Sequence, residues 1–144
     1  MATYNGTAGA DEYVGTEPAD TINGNGGDDT IIGDAAINTL SGNDGNDTVS
    51  GGDGHDILRG NAGDDILNGE AGNDILIGGG GNDALNGGAG VDRISLYNEI
   101  NGVTVDLRLD GVAQDFGVMG VDTLTGIEQV LTTYWSDTVM PSAV

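Results

Sequence analysis

Aspartate recurs in this chain at every ninth residue: Asp11, Asp20 and Asp29, then an interruption at Asn38, then Asp47, Asp56, Asp65, Asp74, Asp83 and Asp92. A glycine stands five residues before each, from Gly6 to Gly87. An apolar side chain stands two residues after each: Tyr13, Ile22, Ile31, Leu40, Val49, Leu58, Leu67, Leu76, Leu85 and Ile94. Carboxylates spaced among glycines, whose carbonyls are unobstructed, suit a hard cation that takes many oxygens. Acid–base chemistry is the other use of carboxylates, and the pairs Asp28–Asp29 and Asp64–Asp65 raise it. Adjacent residues of an extended chain point apart, so these pairs read as solvated surface charge. His55, the single histidine, falls in the variable fifth place of a turn and reads as a loop side chain. The sequence holds no Ser–His–Asp, zinc or phosphate-loop constellation, since its glycines are evenly periodic and open no helix. The reading is of a non-enzymatic module.

Composition narrows the partners. The 144 residues fit one domain. With 24 acidic and 3 basic residues, the formal net charge is -21. Nucleic acids and anionic membranes need a basic face, so the expected counter-charge is a cation. A chain this acidic could also remain disordered; the regular spacing of its aliphatics argues otherwise. There is no cysteine, which excludes disulfides and thiolate metal sites. No apolar run approaches the ~18 residues of a membrane span, and no basic-then-apolar leader opens the sequence. Export is therefore expected to proceed without an N-terminal secretory peptide.

Cut before Gly6, the chain yields ten contiguous nonapeptides over residues 6–95, after a lead-in at 1–5. The fourth place is Gly except at Pro18 and Ala36. Each unit reads as a tight turn followed by a very short strand. Burying one aliphatic returns about 1.5–3 kcal/mol, less than the entropic cost of ordering nine backbone residues. Something besides the thin core must stabilise such a fold. If two units form one coil, loops 18 residues apart stack at roughly 4.8 Å. Stacked aspartates then repel one another unless a cation lies between them. Calcium suits the place better than magnesium, because protein carbonyls can replace its water. Transition metals are disfavoured by the lack of nitrogen and sulfur ligands.

These units resemble the G-G-x-G-x-D-x-U-x nonapeptide of the RTX, or haemolysin-type, calcium-binding repeat, ten times in register. The resemblance implies an all-β, right-handed parallel β-roll with two nonapeptides per coil. It implies Ca2+ between stacked loops, held by first- and third-place carbonyls of one loop, second- and fourth-place carbonyls of the next, and the sixth-place Asp of both. On one edge four sites follow. The first takes Gly6, Ala8 and Asp11 with Asn25, Gly27 and Asp29. The second takes Gly24, Gly26 and Asp29 with Asn43, Gly45 and Asp47. The third takes Gly42, Asp44 and Asp47 with Asn61, Gly63 and Asp65. The fourth takes Gly60, Ala62 and Asp65 with Gly79, Gly81 and Asp83. The other edge gives two more: Gly51, Asp53 and Asp56 with Glu70, Gly72 and Asp74, then Gly69, Ala71 and Asp74 with Gly88, Gly90 and Asp92. Its earlier gaps, around Asp20 and Asn38, are expected to be weak or empty because of Pro18, Ala36 and Asn38. Six confident sites result.

Residues 96–144 are expected to form a C-terminal β cap over the last rung, with an uncleaved secretion signal as the other reading. Val103, Val105, Leu107 and Leu109 alternate like a strand. Residues 117–125 restore the repeat at Gly117, Gly120, Asp122 and Leu124, with Asp122 unpaired in this register. Residues 132–140 are more degenerate: Thr132 and Trp135 replace glycines, and Asp137 and Val139 hold their places. Tyr134 and Trp135 read as part of the cap. The outward Ile57, Ile75 and Ile77 offer a face for the tail or for a partner. The repeat-like end suggests a piece of a longer protein with neighbouring domains.

Two functions fit: a calcium-folded secretion or spacer module of an exported bacterial protein, or a surface adhesin-type binding module. Ice binding is disfavoured, because the third places Ala8, Gly26, Asp44, Ala62 and Gly80 form no threonine row; a glycan ligand stays open. Circular dichroism should show a disordered chain in chelator and a β-rich one in millimolar calcium. Equal β content in both conditions would count against calcium-driven folding.

Overall fold

A computed structural model describes residues 2–16, 18–96, 104–131 and 137–141. Its strands form two parallel sheets facing each other across the thin core, and every second nonapeptide returns to the same sheet. The first sheet stacks Thr3–Asn5, Thr21–Gly26, Thr39–Asp44, Ile57–Ala62, Ile75–Gly80, Arg93–Ser95 and Gln129–Leu131. The second stacks Glu12–Val14, Thr30–Ile32, Thr48–Gly54, Ile66–Gly72, Ala84–Gly90 and Val121–Thr125, with Val112–Asp115 antiparallel at its end. Registers such as Leu40↔Leu58 and Val49↔Leu67 fix the coil at two nonapeptides. The chain is an all-β parallel solenoid of the β-roll kind.

The eighth-place side chains turn inward because alternate residues of a strand face opposite ways. From Ile22 to Leu76 they are fully buried, and Leu85 and Ile94 nearly so. Tyr4 and Tyr13 pack against this core in its first coil, with ring centroids 6.5 Å apart. The seventh and ninth places face outward, so Ile66 is 47% exposed beside a buried Leu67.

The tail differs from the expected continuous alternation. The strand covers only Thr104–Asp106, paired with Thr138–Met140. Leu107 begins a turn, Leu109 is exposed, and Val103 lies outside the described residues. Asp106 imposes the turn: its carbonyl accepts the Leu109 N–H at 3.1 Å, and its carboxylate holds Arg108 Nε and Nη2, both at 2.7 Å. The described tail strands Val121–Thr125 and Gln129–Leu131 extend the two sheets at the end of the roll. The face of Ile57, Ile75 and Ile77 stays half-buried along the side of the first sheet. Phe116, fully buried, joins Val105, Leu107, Leu124 and Ile127 in the core cluster. Thr132, Tyr134 and Trp135 lie outside the described residues.

Leu58→Ala opens a cavity in a column with no slack and should cost about 2–5 kcal/mol. Ile66→Ala, on the outward face, should cost about 0.5 kcal/mol or less. Urea denaturation in calcium, run on both variants, measures the difference.

Candidate metal centre

The sixth-place aspartates form one column on each edge, and they are almost wholly buried. Asp29, Asp47, Asp65 and Asp83 are no more than 2% exposed on one edge, and Asp56, Asp74 and Asp92 no more than 1% on the other. One oxygen of each is engaged between coils. The Asp29 backbone N–H donates to Asp47 Oδ1 at 2.8 Å, Asp47 to Asp65 at 2.8 Å, and Asp65 to Asp83 at 2.9 Å. On the other edge Asp56 donates to Asp74 Oδ1 at 2.7 Å and Asp74 to Asp92 at 2.8 Å.

The second oxygen is left over. Oδ2 of Asp29, Asp47, Asp56, Asp65, Asp74, Asp83 and Asp92 is buried without a hydrogen-bond partner. An unpaired buried carboxylate oxygen is costly. Here seven share one orientation. Each turns back over its own loop toward the first-place glycine, and for Asp29, Asp56, Asp65 and Asp74 the first-place carbonyl of the next coil lies at the same spot. A Cβ on Gly51 would meet Asp56 Oδ2 at 2.6 Å and Gly69 O at 2.9 Å. A Cβ on Gly69 would meet Asp74 Oδ2 and Gly87 O, each at 2.5 Å. On Gly24 and Gly60 it would run into Asp29 Oδ2 and Asp65 Oδ2, with Gly42 O and Gly78 O close by. The first-place glycine thus keeps open a space lined by oxygen.

The remaining loop positions repeat one backbone geometry from coil to coil. Second places Asn25, Asn43, Asn61, Glu70, Gly79 and Gly88 all have positive φ. So do the fourth places Gly27, Gly45, Gly63, Gly72, Gly81 and Gly90. Gly45 shows why the fourth place is glycine: φ is 130° and a Cβ would collide with Gly27 O. Third-place carbonyls stack between coils, with Asp44 O accepting from Gly27 N at 2.8 Å and Ala62 O from Gly45 N at 2.9 Å. Asp53 and Ala71 pair in the same register, as do Gly26 and Asp44. Among the described residues no three acidic, His or Cys side chains converge; what the loops offer is carboxylate and backbone carbonyl oxygen. That donor set fits calcium.

The loop of Gly6, Ala8 and Asp11 is built differently. Asp11 Oδ2 accepts from Thr7 N at 2.7 Å and Thr7 Oγ1 at 2.9 Å, and Gly6 O accepts from Asn25 Nδ2 at 2.7 Å. Two oxygens of that gap already have donors. At Asn38, Nδ2 donates to Ala36 O at 2.7 Å and Asp34 Oδ1 at 3.2 Å, while Oδ1 keeps the inter-coil bond to Asp20 N at 2.9 Å. The amide preserves the ladder and turns an N–H to where its neighbours turn an oxygen. Asp20 Oδ2 accepts from Thr16 N at 3.0 Å.

The fifth place, variable in the sequence, carries a second ladder. Asn46 N donates to Asp28 Oδ1 at 2.8 Å, Asp64 N to Asn46 Oδ1 at 2.8 Å, and Asn82 N to Asp64 Oδ1 at 2.7 Å. On the other edge His55 Nδ1 accepts from Asn73 N at 2.8 Å. The run Asp28, Asn46, Asp64, Asn82, all short acceptors at an 18-residue interval, was the available signal.

The RTX calcium-binding nonapeptide repeat family matches residues 5–40, 32–67 and 59–94, more than half of the chain. The chain belongs to that family. RTX repeats are calcium-binding structural units, and the cradle geometry of this RTX roll has the oxygen chemistry that role demands. No curated protein matches the chain significantly.

Burial raises the carboxyl pKa along both RTX columns. It pushes Asp65 up to about 7 and Asp56 up to about 6, and it also raises Asp47, Asp74 and Asp83. Neighbouring carboxylates add to the shift, and the backbone N–H bonds oppose it. A folded-state pKa above the unfolded value stabilises the metal-free roll at low pH, and that stability is lost as pH rises through about 6–7. Calcium requires the ionised form, so protons compete with it. The chelated chain should gain β signal at about pH 5 relative to about pH 8, while the calcium midpoint of folding moves to higher concentration. Circular dichroism titrations at both pH values test both signs; identical chelated spectra would contradict the assignment.

Proposed function

We propose that this chain is a calcium-loaded folding module of an exported bacterial protein, acting as a secretion and folding element or as a structural spacer at the cell exterior. The observation that carries the reading is the row of buried, unpartnered Asp Oδ2 atoms turned over their first-place glycines. Six Ca2+ ions between the loops of residues 6–95 complete these cradles. The sites are those between Gly6 and Gly24, Gly24 and Gly42, Gly42 and Gly60, Gly60 and Gly78, Gly51 and Gly69, and Gly69 and Gly87. The Gly6–Gly24 gap is the weakest, because Thr7 and Asn25 already donate to two of its oxygens. The tail acts as a cap on the last coil.

Linkage gives the scale. A site held at ten times its dissociation constant adds about 1.4 kcal/mol. Six such sites add roughly 8 kcal/mol, within the typical stability of a domain, about 5–15 kcal/mol. A chain of net charge -21 repels itself in low calcium and collapses when calcium neutralises the columns. Folding then waits for the calcium-rich exterior. No helix is long and apolar enough to cross a membrane among the described residues.

The test is the Asp47→Asn variant. Asp47 borders two cradles and accepts one inter-coil bond, which Asn retains. It should lose two bound calcium ions by mass spectrometry under native conditions, with the folding midpoint raised several-fold, each tenfold change being about 1.4 kcal/mol. An unchanged stoichiometry would refute the cradle assignment.

A further inference from the structure

The inter-coil ladder continues beyond the last contiguous nonapeptide. The Asp83 N–H donates to Asp122 Oδ1 at 3.0 Å, although 39 residues separate the two. Asp122 is 3% exposed, like the interior members of the column. The Gly81 N–H donates to Met119 O at 2.9 Å, as Gly63 N–H donates to Gly80 O at 2.9 Å. Gly120 has φ 114°, and a Cβ there would collide with Gly81 O, the contact that Gly45, Gly63 and Gly81 make with the fourth-place carbonyl one coil earlier. Residues 117–122 therefore form a further loop of this edge, brought into register by a chain excursion.

The opposite edge closes with different residues. The Asp92 N–H donates to Glu128 Oε2 at 2.8 Å. A Cβ on Gly87 would collide with Gly126 O and lie 2.7 Å from Asp92 Oδ2, the same two kinds of atom that crowd Gly51 and Gly69. Gly126 thus takes the first place and Glu128 the sixth. Two residue steps separate them, where five separate Gly87 from Asp92. The turn is three residues shorter, and the longer Glu arm spans the difference.

At both junctions the upper carboxylate is incomplete. Asp83 Oδ2 and Asp92 Oδ2 are buried without a hydrogen-bond partner, in residues 2% and 0% exposed. Asp92 Oδ2 lies over Gly87 where the tail's Gly126 carbonyl arrives, and Asp83 Oδ2 turns over Gly78 as its column neighbours turn over their own first-place glycines. Resting on the calcium reading above, we propose that the tail completes one additional oxygen-ligated divalent-cation site on each edge: Asp83 with Asp122 and the Gly120 loop, and Asp92 with the Gly126 carbonyl and Glu128. Docking of the tail is then itself calcium-dependent, since without a cation each junction sets buried carboxylate oxygen against further acidic groups.

The experiment counts bound calcium in the full chain by mass spectrometry under native conditions, with circular dichroism run alongside. Asp122→Asn and Glu128→Gln are each expected to lose one ion, and the double variant two. The surface change Glu12→Gln is expected to lose none. Should Asp122→Asn fail to fold in calcium, Glu128→Gln decides alone, because that side chain is exposed. Equal calcium counts in the parent and in Glu128→Gln and Asp122→Asn overturn this proposal and leave the module reading intact. A parent chain that binds no calcium overturns both.

Discussion

Everything in this fold turns on how two carboxylate oxygens are divided. From Asp29 onward, one oxygen of each sixth-place aspartate accepts the backbone N–H of the sixth-place residue one coil earlier. That bond sets the rise between coils and buries the side chain. Burial in turn makes the second oxygen expensive to leave bare. The stacking that orders the loops therefore creates the demand for a cation. In the proposed calcium form, structure and ligand are coupled at the level of one side chain: the residue that faces the cation is also the coil-to-coil connector. Asn38 separates the two tasks: it keeps the connection and turns its amide N–H onto its own loop.

The glycines follow from the same constraint. The first place must be bare because carboxylate and carbonyl oxygens occupy the direction of a Cβ. The fourth place must accept positive φ directly above the carbonyl of the preceding coil. Gly9, by contrast, would place a Cβ no nearer than 4.0 Å to Thr7 Oγ1. Where these demands fail, at Pro18, Ala36 and the Thr7 loop, the carboxylate or amide finds a local donor or acceptor instead. A repeat array of this kind is held by nearest-neighbour contacts, so defects at its start need not spread along it.

Most of the roll was legible because one interval of nine residues sets both the turn chemistry and the inward-facing aliphatic. Coil size, sheet membership and the core column all follow from it. The columns of Asp29 and Asp56 were readable for the same reason. Other features were hidden because they depend on what lies one coil away. Thr7 satisfies Asp11 through both its backbone and its hydroxyl, which a place-by-place comparison does not display. The fifth-place ladder was visible only when every second unit was compared. The tail was harder, since its register jumps by 39 residues at Asp122 and its turn at Gly126 is shortened. Leu109 misled because apolar alternation continues in the sequence past the point where Asp106 bends the chain.

The return of the chain at Asp122 has a wider meaning. An interval of 39 instead of 18 residues means that 21 extra residues intervene before the chain meets the next level of this edge. What admits a segment is the match of its few turn atoms to the exposed end below, whatever its distance along the sequence. The growing end behaves like a template that reads shape rather than order. Such an architecture can acquire excursions between levels, and whatever those excursions carry, without losing its axis.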